Sequence, residues 1–285
     1  MRRVRQSGFT LIEMIIVMTI TAVLAAGVAV FIRKPVEGYF DLVRRTELSD
    51  IADTAVRRIS RDLHLALPNS VRVIAGDTSC VEFLPTKDGG RYRADVDNSN
   101  PVTPLPGNVF TTSLALSTFD VLGPLSSAPV VGDKIVVYNL GIAGASAYEG
   151  DNIGTVDAGS STTQIKLSPA KLFPFDSPAY RFHVLSGTEQ AVSYACKLAG
   201  IDAAGNGLGK LYRLSAYGIK PAATTTTCPS VTAATPVLAQ NISSCSFRFT
   251  DGVTSRSGLV SIRLGMTKNN ETVTLYHDVH VSNVP

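Results

Sequence analysis

Cysteines, histidines and clustered carboxylates are the side chains that could ligate a metal or act as nucleophiles, and their spacing in this chain supports neither role. Cys80, Cys196, Cys228 and Cys245 form no C-x-x-C pair. They read as two disulfides of a domain in an oxidising compartment rather than as a zinc site. Chain proximity favours Cys228–Cys245, which leaves Cys80–Cys196 between strands by elimination; the alternative pairings stay open. The histidines are His64, His183, His277 and His280. His277 and His280 stand three apart in an expected strand, on opposite faces, where they cannot simply share a metal. Asp95-Val96-Asp97-Asn98-Ser99-Asn100 superficially resembles a calcium loop but lacks the turn glycine and the later glutamate, so a polar turn is expected. No G-x-S-x-G elbow, H-E-x-x-H pair or phosphate loop occurs. No catalysis, cofactor or metal is expected.

The residue out of place is Glu13. It stands at the mouth of Met14–Ile32, a run of 19 residues without a charge. As a helix this run spans about 28 Å, close to the ~30 Å hydrocarbon thickness of a bilayer. Lipid leaves a spanning backbone no alternative to the helix. Arg2, Arg3 and Arg5 precede it, which by the positive-inside rule keeps the N-terminus cytoplasmic and puts the bulk of the chain outside the inner membrane. A carboxylate well inside the bilayer costs about 2.5–3.5 kcal/mol, so Glu13 calls for a cationic partner. The run exceeds the roughly 7–15 residues of a secretory signal core, and no clear small-residue cleavage site follows it. The same arginines explain the net charge of +3. Without residues 1–8 the basic residues fall from 26 to 23 and equal the 23 acids. That balance gives no basis for nucleic-acid binding.

The segment Arg5-Gln6-Ser7-Gly8-Phe9-Thr10-Leu11-Ile12-Glu13 resembles the class III signal of type IV prepilins and pseudopilins. The resemblance implies cleavage of the leader 1–8 after Gly8 by a prepilin peptidase on the cytoplasmic side. It also implies N-methylation of the new terminus at Phe9 and retention of the hydrophobic helix. Glu13 falls one helical turn after Phe9, and the resemblance implies that it pairs with the cationic terminus of a neighbouring subunit in the assembled filament. Many major pilins carry a proline in mid-membrane; this chain has none there, and Gly27 is the nearest flexible point.

Past the membrane run (residues 9–34), Pro35 is expected to kink a continuing helix rather than end it. Val36, Phe40, Val43, Ile51, Ala55, Ile59 and Leu63 form an apolar stripe at mostly three- and four-residue spacing, and Pro68-Asn69 is a stop signal. This gives an amphipathic helix over 35–68 packed on a β-rich head, 69–285. Strands are expected over Ser70–Ile74, Cys80–Leu84, Lys134–Asn139, Gln164–Leu167, Tyr180–Leu185, Ala191–Cys196, Lys210–Ala216, Cys245–Phe249, Leu259–Leu264 and Thr272–Val281. Ala191–Cys196 and Lys210–Ala216 read as a hairpin. The stretch 86–180, rich in Asp, Asn, Ser, Gly and Pro, reads as an insertion or accessory β-subdomain. The fold class expected is α+β and pilin-like.

Further blocks, Phe31–Phe40, Arg57–Leu63, Ala66–Arg72, Ser257–Ser261 and Leu275–Val281, resemble minor pilins of mannose-sensitive haemagglutinin (MSHA) pili. The helix-to-head organisation is also similar to J-type pseudopilins of type II secretion. The resemblance implies a non-enzymatic assembly protein of the inner membrane and then of the pilus. Its implied partners are the prepilin peptidase/methyltransferase, other major and minor pilins, the inner-membrane assembly platform and the lipid bilayer. A bulky head favours a place near the filament tip. A pilus-borne adhesin with its ligand site in 86–180 is a compatible alternative.

Overall fold

The computed structural model describes residues 8–74, 77–96, 107–221, 227–251 and 257–285, the side chain of Val30 excepted. The protein is α+β, with one long N-terminal apolar helix followed by a β-rich domain. Helix α1 runs Leu11–His64 and passes through Pro35 without interruption. The chain forms two compact units, divided between Glu47 and Leu48.

In the first unit the helix carries an 18-residue window long and apolar enough to cross a membrane. The two threonines within this stretch do not oppose the helix. The Thr19 hydroxyl donates to the Ile15 carbonyl at 3.0 Å and that of Thr21 to the Val17 carbonyl at 2.7 Å, so neither is left unsatisfied in an apolar surrounding. The upper part of the expected stripe is not buried: Val36, Phe40 and Val43 are exposed.

In the second unit α1 buries Leu48, Ala52, Ala55, Val56, Ile59 and Leu63. The spacing of three and four closes one continuous seam, and Ala52 and Ala55 let the backbone approach the sheet closely. The helix ends in a tightened turn, with Leu65 N–H donating to the Asp62 carbonyl at 3.1 Å, ahead of Pro68 and of Asn69 at φ 57°.

Among the described residues thirteen strands follow: β1 (Arg72–Ile74), β2 (Asp77–Phe83), β3 (Thr86–Tyr92), β4 (Leu116–Leu122), β5 (Lys134–Val137), β6 (Ile153–Thr155), β7 (Gln164–Lys171), β8 (Arg181–Leu185), β9 (Val192–Lys197), β10 (Gly209–Leu214), β11 (Val237–Thr250), β12 (Gly258–Lys268) and β13 (Glu271–Val281). A seven-stranded antiparallel sheet has the order β1-β2-β9-β10-β11-β12-β13, and α1 packs on one of its faces. The expected hairpin is present as β9 and β10, with Cys196 opposite Leu211. Asn269 and Asn270, both at positive φ (56° and 64°), form the two-residue turn between β12 and β13, the backbone a tight hairpin requires. Gly205 fits against this turn; a Cβ there would lie 2.2 Å from the Asn270 Oδ1.

A six-stranded sheet, β6-β5-β8-β3-β4-β7, is built entirely from residues 86 to 185. It departs from the larger sheet between β2 and β9, which pair directly with Cys80 opposite Ala195. Strand β8 belongs to this second sheet, five residues past the expected boundary at 180. Its core is aromatic, with Phe110 at 4.0 Å from the Tyr92 ring, 5.2 Å from Phe173 and 5.6 Å from Phe119.

The disulfides correct the pairing favoured by chain proximity. Cys80 bonds Cys228 and Cys196 bonds Cys245. The reason is strand parity. Cys80 stands opposite Ala195, so its side chain shares a face with Ala195 and lies on the other face from Cys196. Cys80 and Cys228 pack with Leu214 on one face, while Cys196 packs in the core beneath α1 with Cys245 against it.

Candidate functional site

The N-terminal segment is organised by two residues. Thr10 precedes the first helical residue, and its carbonyl accepts the Met14 N–H at 3.2 Å. Its hydroxyl oxygen accepts the Glu13 N–H at 3.3 Å, and the Glu13 Oε2 accepts both the Thr10 N–H and the Thr10 hydroxyl at 3.3 Å. This reciprocal arrangement is a capping box, which satisfies donors that the helix start would leave unpaired. The carboxylate also sits in the first turn, where the helix dipole favours negative charge.

Gly8 and Phe9 lie before that cap. Phe9 is 79% exposed, and nothing lies within 4 Å of where a Cβ on Gly8 would stand. The box therefore starts the helix after the Gly8–Phe9 bond, which lies outside it. The chemistry of Thr10 does not mark it in the sequence; the Thr-x-x-Glu spacing is the signal that identifies it.

Other polar groups are engaged within the β-rich unit. Glu82 is buried and accepts from Arg72 Nε at 2.8 Å and the Tyr217 hydroxyl at 2.9 Å. Burial, with the Glu82 charge beside it, pushes the Tyr217 phenol well above its ordinary range. Asp133 is buried and accepts from Lys87 Nζ at 2.5 Å, Val130 N–H at 2.9 Å and Gly187 N–H at 3.0 Å. Burial raises its pKa, but these donors outweigh it and hold the carboxyl below the usual value. Burial lowers the pKa of His183, with Arg181 adding to the effect.

His64 and His277 line one cleft; His280 is exposed on β13. Asp77 lies beside Cys80 and Cys228, whose sulfurs are committed to a disulfide. Of the calcium-loop-like stretch, Asp97–Asn100 fall outside the described residues. Gly8, Phe9 and Glu13 thus come together with Thr10 at the helix start, and the four cysteines serve the β-rich unit.

The sequence profile of the prokaryotic N-terminal methylation motif matches residues 3–29. The chain carries that motif. The match takes in the arginines at 3 and 5, the Gly8–Phe9 bond, the capping box and most of the apolar run, and it supports a protein of the type IV pilin or pseudopilin type. In such proteins the motif implies processing by a prepilin peptidase and pilin-type assembly, and the apolar helix fits membrane anchoring. No curated protein and no solved structure matches the chain.

Proposed function

We propose that this protein is a minor pilin of a type IV pilus, of the MshO kind found in MSHA systems, acting in assembly or initiation near the filament tip. It has no catalytic role in this reading. The observation that carries it is the capping box, which sets the Gly8–Phe9 bond just outside a helix whose following residues suit a bilayer. Prepilin peptidase removes residues 1–8 and methylates the Phe9 amine. The apolar helix first anchors the protein in the inner membrane, with its N-terminus cytoplasmic and the β-rich domain periplasmic. It then packs among other pilins supplied through the assembly platform.

Glu13 has two successive partners in this scheme. In the free subunit its carboxylate is held by Thr10. During assembly it exchanges Thr10 for the cationic terminus of a neighbour, so that two charges costly in an apolar bundle compensate each other. The second sheet, residues 86–185, gives the head a bulk unsuited to repetition along a tightly packed shaft, which supports a terminal position.

The test is the mass of the mature N-terminus after co-expression with and without a prepilin peptidase. The expected product begins at N-methylated Phe9 and is absent without the peptidase. A mature chain beginning at any other residue overturns the reading. Co-purification with pilus components rather than secretion components tests the finer assignment.

A further inference from the structure

The seven-stranded sheet ends on β1 at one edge and on β13 at the other, and the two edges are finished differently. β1 has three residues and an irregular register against β2, features that blunt an edge. β13 has eleven residues, neither proline nor glycine, and an unbroken register along β12 from Lys268↔Glu271 to Gly258↔Val281. Among the described residues no strand pairs with its outer side. A long regular edge without bulge, proline or lysine is a template for another strand.

A trough runs beside this edge. Asp53, Arg57, Arg61 and His64 of α1 line a cleft of about 510 Å³ together with Leu275 and His277 of β13. On the α1-facing side of β13, Val279 and Val281 are buried, whereas Val273 and Leu275 are only half-buried. The apolar face of the strand is thus incompletely covered where it borders the trough. The trough also carries excess positive charge. Arg57 pairs with Asp53 at 2.6 Å, which leaves the Arg61 guanidinium as the unmatched charge of the cleft among the described residues. On the other face of β13, Arg263 stands over the Tyr276 ring at 5.2 Å, and Arg248 and Asp278 line a second cleft.

We propose that β13 is a docking edge for an extended acidic segment of another polypeptide, which adds as a strand beside it. The backbone ladder supplies affinity, and the side chains in the trough supply specificity. A strand about 4.8 Å from β13 would turn alternate side chains toward α1, where carboxylates two residues apart reach Arg61, and the intervening apolar side chains to the opposite face, beside the exposed Tyr276. The partner is therefore a segment alternating apolar and acidic residues. This inference does not depend on the pilin reading.

The experiment uses the full chain in detergent micelles and a labelled peptide of about nine residues alternating Glu and Val, with a Lys/Val peptide as control. Saturable anisotropy is expected for the Glu peptide alone, with slowed amide exchange confined to Thr272–Val281. Arg61→Glu, on an exposed position, is expected to weaken binding about tenfold, and Arg61→Lys to restore it, with unchanged circular dichroism. Equal binding of the Lys peptide, unchanged exchange in β13, or indifference to Arg61→Glu overturns the proposal. So does a peptide-free dimer in which the β13 amides are already protected, because that assigns the edge to a second copy.

Discussion

Asp62 accepts the Nε–H of Arg213 at 2.8 Å, joining the last turn of α1 to β10. The same carboxylate is only 8% exposed, accepts the Tyr194 hydroxyl at 2.7 Å and lies 3.3 Å from Arg58. Arg213 in turn holds Glu189 at 2.7 Å. Burial, with the Asp62 hydrogen bond beside it, pushes the Tyr194 phenol far above its ordinary range, so it stays a donor at every physiological pH. The contact fixes the rotation of α1 that sends Ile59 and Leu63 into the core.

Removing one member of this network strands the others. Asp62→Ala leaves the partly buried Arg213 guanidinium without one of its two carboxylates and the buried Tyr194 hydroxyl without an acceptor. A loss of about 3 kcal/mol is expected, read as a lower midpoint in urea unfolding at neutral pH. Arg58→Ala, removing the exposed partner, is expected to cost less than about 1 kcal/mol. Equal effects of the two substitutions would refute this ranking.

The disulfides make a mapping prediction. Non-reducing proteolysis is expected to release peptides linking Cys80 to Cys228 and Cys196 to Cys245, and no peptide linking Cys228 to Cys245. The bridges close separations of 148 and 49 residues, for which the chain-entropy account gives about 4–5 kcal/mol each. Cys196→Ser with Cys245→Ser is expected to lower the unfolding midpoint under oxidising conditions and to leave it unchanged under reducing ones.

The long apolar helix was legible because a stretch suited to lipid has a set composition over a fixed length. The seam beneath α1 was legible only in part. Ala55, Ile59 and Leu63 belong to it, but Val36, Phe40 and Val43 continue the same periodicity without being buried. Periodicity marks a face, not what covers it. Strand β3, Thr-Lys-Asp-Gly-Gly-Arg-Tyr, carries no alternation and its glycines suggest a turn. It is nevertheless a strand between β8 and β4, because a Cβ at Gly90 would stand 3.0 Å from the Phe182 ring. The disulfide pairing turned on strand parity, which is a property of register and not of spacing. At the helix start Glu13 stood out by its charge, whereas its local partner Thr10 did not.

Stability is expected to fall with acid in two stages. His183 has a depressed folded pKa, so the unfolded chain takes up its proton first, below about pH 6.5. Stability is complete above that value and declines as the pH drops through it toward the folded pKa. Asp133, also depressed, contributes stability that is present above about pH 4 and is lost as the pH falls through the folded value. Urea midpoints measured from pH 8 to pH 3 test both stages. His183→Gln is expected to remove the upper decline, and Asp133→Asn to flatten the lower one while lowering the midpoint at neutral pH.

In the proposed scheme Glu13 has two parts, the helix cap seen in the structure and a docking charge in assembly, and substitutions separate them. As the capping residue it needs only an acceptor reaching back to the Thr10 N–H, which a glutamine supplies. As the docking charge it needs its negative charge. Glu13→Gln is therefore expected to keep the helix start intact, with amide exchange over Leu11–Met14 in micelles unchanged, and still to block incorporation into filaments. Thr10→Val removes the cap hydroxyl and is expected to fray that first turn, at a cost of about 1 kcal/mol, while leaving the charge in place. Cleavage after Gly8 is expected to persist in both variants, because that bond already lies outside the helix. Filament incorporation that survives Glu13→Gln would show that the cap, and not the charge, is what assembly requires.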